Sequence, residues 1–453
     1  MPRRPIVFEP ATLPTRDGQT LEVERGELEV PETRPDGART IRLRMVRMPA
    51  EGPRLCPPVV FLAGGPGDSA IFWARFPQFL RAFEALRGVT DVLLFDQRGC
   101  GESEANLRLS PPKLHEDTLA SEQGCLAALM DQAREHRPRF EEQGIDLQAY
   151  NPVDSSDDLA DLADALGEER ICLVGYSYGS HLALTTIRRH RERLHRVALC
   201  GFEGPDDTLK LPSNVQRQLE TLAELVRRQL GWGGLLETME AVHARLETSP
   251  VGLELEGRRL LVGAFALRHL ASTWMGVSNR FPTLPRLYAS LERGEVAVLA
   301  EGLRRLVRGW ARPATFYLTD GASGCSEARM RRILSEAPAC VLRNAVNFPF
   351  PEIAEGWPPK DLGSSFREPI ASDVPLLVVS GTLDGNTPPG QAREQLARFP
   401  NGRQFLVENA AHNDMLVAPD VHRALVEHFL GRDPTVEGAR LPEPVFEPLD
   451  FVG

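Results

Sequence analysis

Apolar residues along this chain fall into two textures, which change near residue 50. Within 21–48, the segments 26–30 and 40–48 predict antiparallel strands. In the second, Ile41, Leu43 and Met45 alternate with Arg42 and Arg44, the period of a half-buried strand. The intervening 32–38 carries Pro35-Asp36-Gly37, which is turn chemistry. Beyond residue 50, the stretches 57–63, 91–96, 170–175, 196–201, 375–381 and 404–408 are short and almost continuously apolar. Such runs suit strands covered on both faces, as in a parallel sheet flanked by helices. The stretch 151–167 is helical in pattern, with Asp and Ser capping candidates and Leu159, Leu162 and Leu166 on one face. Strands alternating with helices predict an α/β doubly wound, mostly parallel sheet.

One interval breaks the alternation. About 170 residues separate the strand ending at Gly201 from the one starting near Pro375, far more than a crossover needs. Val215, Leu219, Leu222, Val226 and Leu230 recur there at helical spacing. Leu235, Leu236, Met239, Val242 and Leu246 do so again after a Gly-Trp-Gly-Gly break. The expectation is a core formed by 1–204 and 371–453, with a helical cap inserted at 205–370. The proline-rich segment 441–453 is expected as an extended tail on the surface.

Composition narrows this only slightly. Lys and Arg number 52 against 63 Asp and Glu, a formal net charge of −11, which argues against nucleic acid or an anionic membrane as partner. Seven cysteines cannot all pair, no C-x-x-C occurs, and Cys172 and Cys200 lie inside apolar runs where a thiol acts as a small hydrophobe. The basic N-terminus has no apolar stretch after it, and apolar runs such as 260–267 are too short to span a bilayer. A cytoplasmic protein without metal or cofactor is the expectation.

Candidate chemistry begins at Gly175-Tyr176-Ser177-Tyr178-Gly179, the one G-x-S-x-G of the chain, set between an apolar strand and a helical pattern. That context is what a nucleophile elbow requires. A serine hydroxyl is a weak nucleophile and needs a base, which needs an orienting acid. Asp384 and His412 each follow a late strand, and they are 28 positions apart, room for one helix and one strand. Rivals are poorly placed: His181 is one turn into a helix leading away, His422 and His428 belong to a C-terminal helix, and Asp373 precedes its strand. Asp414 remains a second possible acid. A developing oxyanion needs donors. The Tyr178 N–H follows the nucleophile, and Gly64 and Gly65 open the loop after an early strand.

The ordered set Gly64-Gly65-Pro66-Gly67, Asp96-Gln97-Arg98-Gly99-Cys100-Gly101-Glu102-Ser103 and Gly-Tyr-Ser-Tyr-Gly resembles the prolyl and tripeptidyl aminopeptidase group of α/β-hydrolases. Gly381-Thr382-Leu383-Asp384-Gly385-Asn386-Thr387 and Asn409-Ala410-Ala411-His412 resemble that group's C-terminal region. The resemblance covers 20–201 and 371–431, with Ala63 where many members have His. It implies an α/β-hydrolase fold and a serine exopeptidase acting on short peptide or aminoacyl substrates. It also implies an acidic anchor for the substrate ammonium. Glu203, where the chain enters the insertion, is the candidate, with a solvated or paired loop glutamate as the alternative. Asp96 and Arg98 are expected to form a buried ion pair holding their loop. The rival readings are an esterase or amidase with the same triad, and a non-catalytic binding protein on this scaffold. Epoxide and haloalkane hydrolases need a carboxylate where Ser177 stands.

Overall fold

The computed structural model describes residues 4–35, 37 and 39–449; Asp36 of the expected turn, Met1–Arg3 and the end of the tail, 450–453, lie outside them. Among the described residues, twelve strands follow in chain order. They are β1 (Glu9–Pro14), β2 (Thr20–Pro31), β3 (Thr40–Met48), β4 (Val59–Leu62), β5 (Val92–Phe95) and β6 (Ile171–Tyr176). The rest are β7 (Leu194–Cys200), β8 (Val251–Leu255), β9 (Arg258–Val262), β10 (Leu376–Gly381), β11 (Gly402–Glu408) and β12 (Gly438–Arg440). Ten of them form one sheet in the order β1-β2-β3-β5-β4-β6-β7-β10-β11-β12. The first three joins are antiparallel and the others parallel.

All six continuous apolar runs are strands of this sheet, and β4, β5, β6 and β10 are buried at every residue. In β3 the alternation holds, with Ile41, Leu43 and Met45 buried, until Val46 and Met48 are buried too, where the strand pairs with β5. Helix Pro152–Leu166 has the predicted apolar face, but its cap is Asn151, whose side chain accepts from the N–H groups of Val153 and Asp154. Neither Asp nor Ser serves there, because they already lie inside the first turns. β1 and β12 carry no apolar run. They are edge strands, where Pro10 and Pro14 cost no interior ladder bond.

Between β7 and β10 the chain leaves the sheet and forms a series of helices, among them Pro212–Leu230, Leu235–Thr248, Ala264–Trp274, Ala297–Gly309 and Ala314–Ser323. The predicted stripes are their buried faces, apart from half-buried Leu230 and Leu236. The β8–β9 hairpin is an addition to the helical expectation. Its turn is Glu256-Gly257, with φ of 52° and 76°, a left-handed pair that glycine accepts readily. These elements share one apolar core with the earlier helix Glu122–Glu142, whereas two other clusters fill the two sides of the sheet.

The Asp96–Arg98 pairing does not form. Arg98, 1% exposed, instead makes a two-pronged contact with Asp158, at 2.8 Å from Nε and 2.7 Å from Nη2, and donates to the carbonyls of Glu32 and Ala149. Asp96 faces the other way and accepts from the Ser69 hydroxyl and from the N–H groups of Ile71 and Glu102. Each group has satisfied its valence elsewhere, so the loop is held by two separate buried networks.

Candidate active site

Strand β6 ends at Tyr176 and helix Tyr178–His190 begins at once, which leaves Ser177 alone in the turn with φ of 54° and ψ of −123°. A non-glycine residue there is strained by about 1–3 kcal/mol. The Ser177 N–H donates to the Cys200 carbonyl at 2.9 Å, which fixes the turn against β7. The flanking glycines are needed for a reason other than turning: neither has a left-handed φ. A Cβ on Gly175 would run into the backbone of Gly179, and one on Gly179 into the carbonyl of Leu62. The strained dihedral belongs to the serine, and the glycines supply the space around it.

His412 Nε2 lies 2.8 Å from Ser177 Oγ, and its Nδ1 lies 2.9 Å from Asp384 Oδ2. The three residues predicted from strand-end positions are therefore brought into one hydrogen-bonded line. Asp384 is fully enclosed. Burial pushes its carboxyl up, but the facing imidazole and hydrogen bonds from His412 and Thr387 outweigh this and hold it below the usual range. Thr387 donates its hydroxyl to Oδ2 at 2.6 Å, while Asn386 and Thr387 direct their N–H groups at Oδ1. The Tyr176 hydroxyl donates to the His412 carbonyl at 2.7 Å and anchors the base's loop to the elbow. Gln218, from the insertion, donates to the Leu383 carbonyl at 2.5 Å and the Met275 carbonyl at 2.6 Å, joining the acid's loop to the helices above it.

Thr387 and Gln218 were not singled out in the sequence. Thr387 had a signal, since a hydroxyl three residues after an aspartate suits an Asx-type turn. Gln218 had none, because its partners are remote in the chain.

Gly64 is against the nucleophile: a Cβ on it would sit 3.0 Å from the Ser177 Cβ. Gly65 lines the same cavity as Ser177. Among the described residues the amides of Gly64, Gly65 and Tyr178 have no protein acceptor. Asp414 makes no hydrogen bond to the base's ring among the described residues; it accepts from the Ser278 N–H at 3.1 Å. His181 is buried between the Gly204 carbonyl and the Ser323 hydroxyl, and burial lowers its pKa. His422 and His428 are buried and bonded to carbonyls, and Asp373 pairs with Arg191 away from the cavity.

The cavity over Ser177 has a volume of about 660 Å³ and is walled largely by the insertion, including Trp274, Trp310, Phe316 and Phe348. Glu203 reaches it but is already matched, with Lys210 Nζ 2.6 Å from its carboxylate. Two carboxyls not expected from the sequence also face it. Asp68 lines it with much of its surface open, and the desolvation it meets among the cavity walls raises its pKa. Asp320 Oδ1 is buried without a hydrogen-bond partner. Burial and the neighbouring Glu203 push this carboxyl well up. No group of His, Cys, Asp and Glu suited to a metal occurs among the described residues, and none of their helices is long and apolar enough to cross a membrane.

The sequence pattern of the alpha/beta hydrolase fold matches residues 57–419, most of the chain. The chain belongs to the α/β-hydrolase family. A protein of Escherichia coli (strain K12), YuaR, itself only provisionally assigned as a hydrolase, is 22% identical over 415 residues, covering 86% of this chain and 81% of its own. Among solved structures, a proline iminopeptidase of Mycobacterium smegmatis is similar at TM-score 0.46 and 16% identity, over 89% of this hydrolase and 97% of its own chain. A thermophilic esterase of Thermogutta terrifontis is similar at TM-score 0.37 and 18% identity, over 88% and 97%.

Proposed function

We propose that this α/β-hydrolase is a serine aminopeptidase that removes N-terminal residues from short peptides through an acyl-enzyme. The observation that carries the hydrolytic part is His412 bridging Ser177 and Asp384. Ser177 Oγ attacks the scissile carbonyl carbon while His412 Nε2 takes the hydroxyl proton. Asp384 stays ionised and holds Nδ1–H toward itself, which keeps Nε2 free as acceptor. The oxyanion receives the unpartnered amides of Gly64 or Gly65 and of Tyr178. His412 then gives its proton to the leaving nitrogen, the C–N bond breaks, and water attacks the acyl-enzyme by the same route in reverse.

The N-terminal preference rests on the carboxyls in the cavity. Asp320 keeps a buried Oδ1 without a hydrogen-bond partner at the cavity, a costly arrangement that a substrate ammonium would relieve. Glu203, the anchor expected from the sequence, is occupied by Lys210, so it supports the ammonium through the field it shares with Asp320. That same occupation favours the second reading, an esterase or amidase on uncharged acyl groups.

One comparison separates the two. N-acetylation of an aminoacyl arylamide should lower kcat/KM by about 10²-fold or more, on the order of 2.7 kcal/mol. Asp320→Asn should erase most of that discrimination, and Glu203→Gln a smaller part. Equal cleavage of blocked and free substrates would sink the aminopeptidase reading and leave the esterase one.

A further inference from the structure

The aminopeptidase reading gives the cavity a direction. His412 hands its proton to the leaving nitrogen, so the departing fragment must lie on the side of the base's loop. Residues of the insertion that are joined to that loop are therefore placed to meet it. The stretch from Met275 to Phe281 is so joined: the Asn413 N–H donates to the Gly276 carbonyl at 3.0 Å, and the Ser278 N–H to Asp414 at 3.1 Å. Gln218 holds Met275 and Leu383 together from the third side.

Arg280 ends the short helical turn Ser278–Arg280 in this stretch, is half-buried, and lines the cavity. Its guanidinium has no ion pair, hydrogen bond or ring partner among the described residues. The other cations of the cavity are matched. Lys210 meets Glu203, Arg305 meets Glu301 at 2.8 Å, and Arg312 lies 4.4 Å from the centre of the Phe316 ring while offsetting the charge of Asp68 and Asp320. Glu203 and Asp320 belong to the other side. Glu203 donates its N–H to Ser180 in the nucleophile's helix, and the helix bearing Asp320 is tied to that same helix through Ser323 and His181. The Asp320 carboxyl, with an unbonded oxygen, thus stands on the nucleophile helix's side, and the unpaired cation of Arg280 on the base's side.

We propose that Arg280 binds the C-terminal carboxylate of the departing fragment, so that the substrates are short peptides with both ends free. A guanidinium presents parallel donors to a carboxylate, and a half-buried one is only partly screened by solvent. The inference rests on the aminopeptidase reading and adds the far end of the substrate to it.

The test compares a tripeptide with its C-terminal amide, using the full-length enzyme and measuring kcat/KM for each. The wild type should prefer the free acid by about tenfold or more, the worth of a charge-assisted contact. Arg280→Gln should bring the ratio near one, Arg280→Lys should retain part of it, and Arg280→Glu should favour the amide. Thermal unfolding of each variant checks that the fold is kept. Equal wild-type rates on acid and amide, or a preference that persists in Arg280→Gln, would overturn the assignment of Arg280 while leaving the aminopeptidase reading intact. A wild type that cleaves neither peptide nor any aminoacyl arylamide, yet hydrolyses esters, would remove both.

Discussion

A histidine 2.8 Å from a hydroxyl and 2.9 Å from an enclosed carboxylate is a proton acceptor whose tautomer is fixed from behind. Ser177→Ala should therefore abolish acyl-enzyme formation and labelling by a fluorophosphonate, leaving roughly 10³–10⁴ over water. Asp384→Asn should keep the fold and lower turnover by about 10⁴, because the amide turns the wrong ring nitrogen toward the serine. A loss of only tenfold would require a different acid. Thr387 gives a finer test. Its hydroxyl is one of the donors that keep Asp384 ionised, so Thr387→Val should cost on the order of 10- to 100-fold in kcat with little change in KM, as expected for a bond to a charged group. Unaltered kcat would make that bond incidental. The triad was legible because a parallel sheet presents its strand ends on one side and chain order fixes which ends carry which role. Thr387, Asp320 and Arg280 were obscure because their importance lies in what they face or fail to face.

Among elements, the continuous apolar strands were readable because burial on both sides leaves little choice of residue. β1, β12 and the β8–β9 hairpin escaped for the opposite reason: they lie at an edge or outside the sheet. The hairpin still had a readable sign in Glu256-Gly257 between the alternating run 251–255 and the apolar Leu260-Leu261-Val262. Asp96 and Arg98 show a different limit. Two residues apart at the end of β5, they part company because Arg98 turns toward Asp158 and Asp96 toward Ser69. Burial raises the Asp96 carboxyl to about 6 from its ordinary 3.8, against the hydrogen bonds it accepts from Glu102, Ser69 and Ile71. An acid with a raised folded pKa makes its full contribution below the unfolded pKa and loses it as pH climbs through the folded one. The stability difference between wild type and Asp96→Asn should accordingly shift against the wild type by on the order of 1–3 kcal/mol between pH 4 and 7, most steeply near 5. Denaturant titrations at several pH values check this, and a flat difference would show that Asp96 is ionised throughout.

For the whole molecule, the insertion turns the open ends of the parallel strands into a cavity of about 660 Å³ above Ser177, within the range of small-ligand sites. Short peptides should be hydrolysed and folded proteins left intact, which mass spectrometry of a stable folded protein after long incubation would read. Internal cleavage of such a protein would mean that the helices over the site do not restrict it.

The placement of β10 between β7 and β11 has a consequence for biosynthesis. The nucleophile leaves the ribosome 235 residues before its base. At cellular elongation rates that is an interval on the order of 10–50 s, and for most of it β7 has no neighbour on its far side. The helices of the insertion, with their own apolar core, emerge in that interval and can pack first. The nascent chain thus carries a serine elbow with no base to activate it, and hydrolytic competence arrives only with the last part of the sheet.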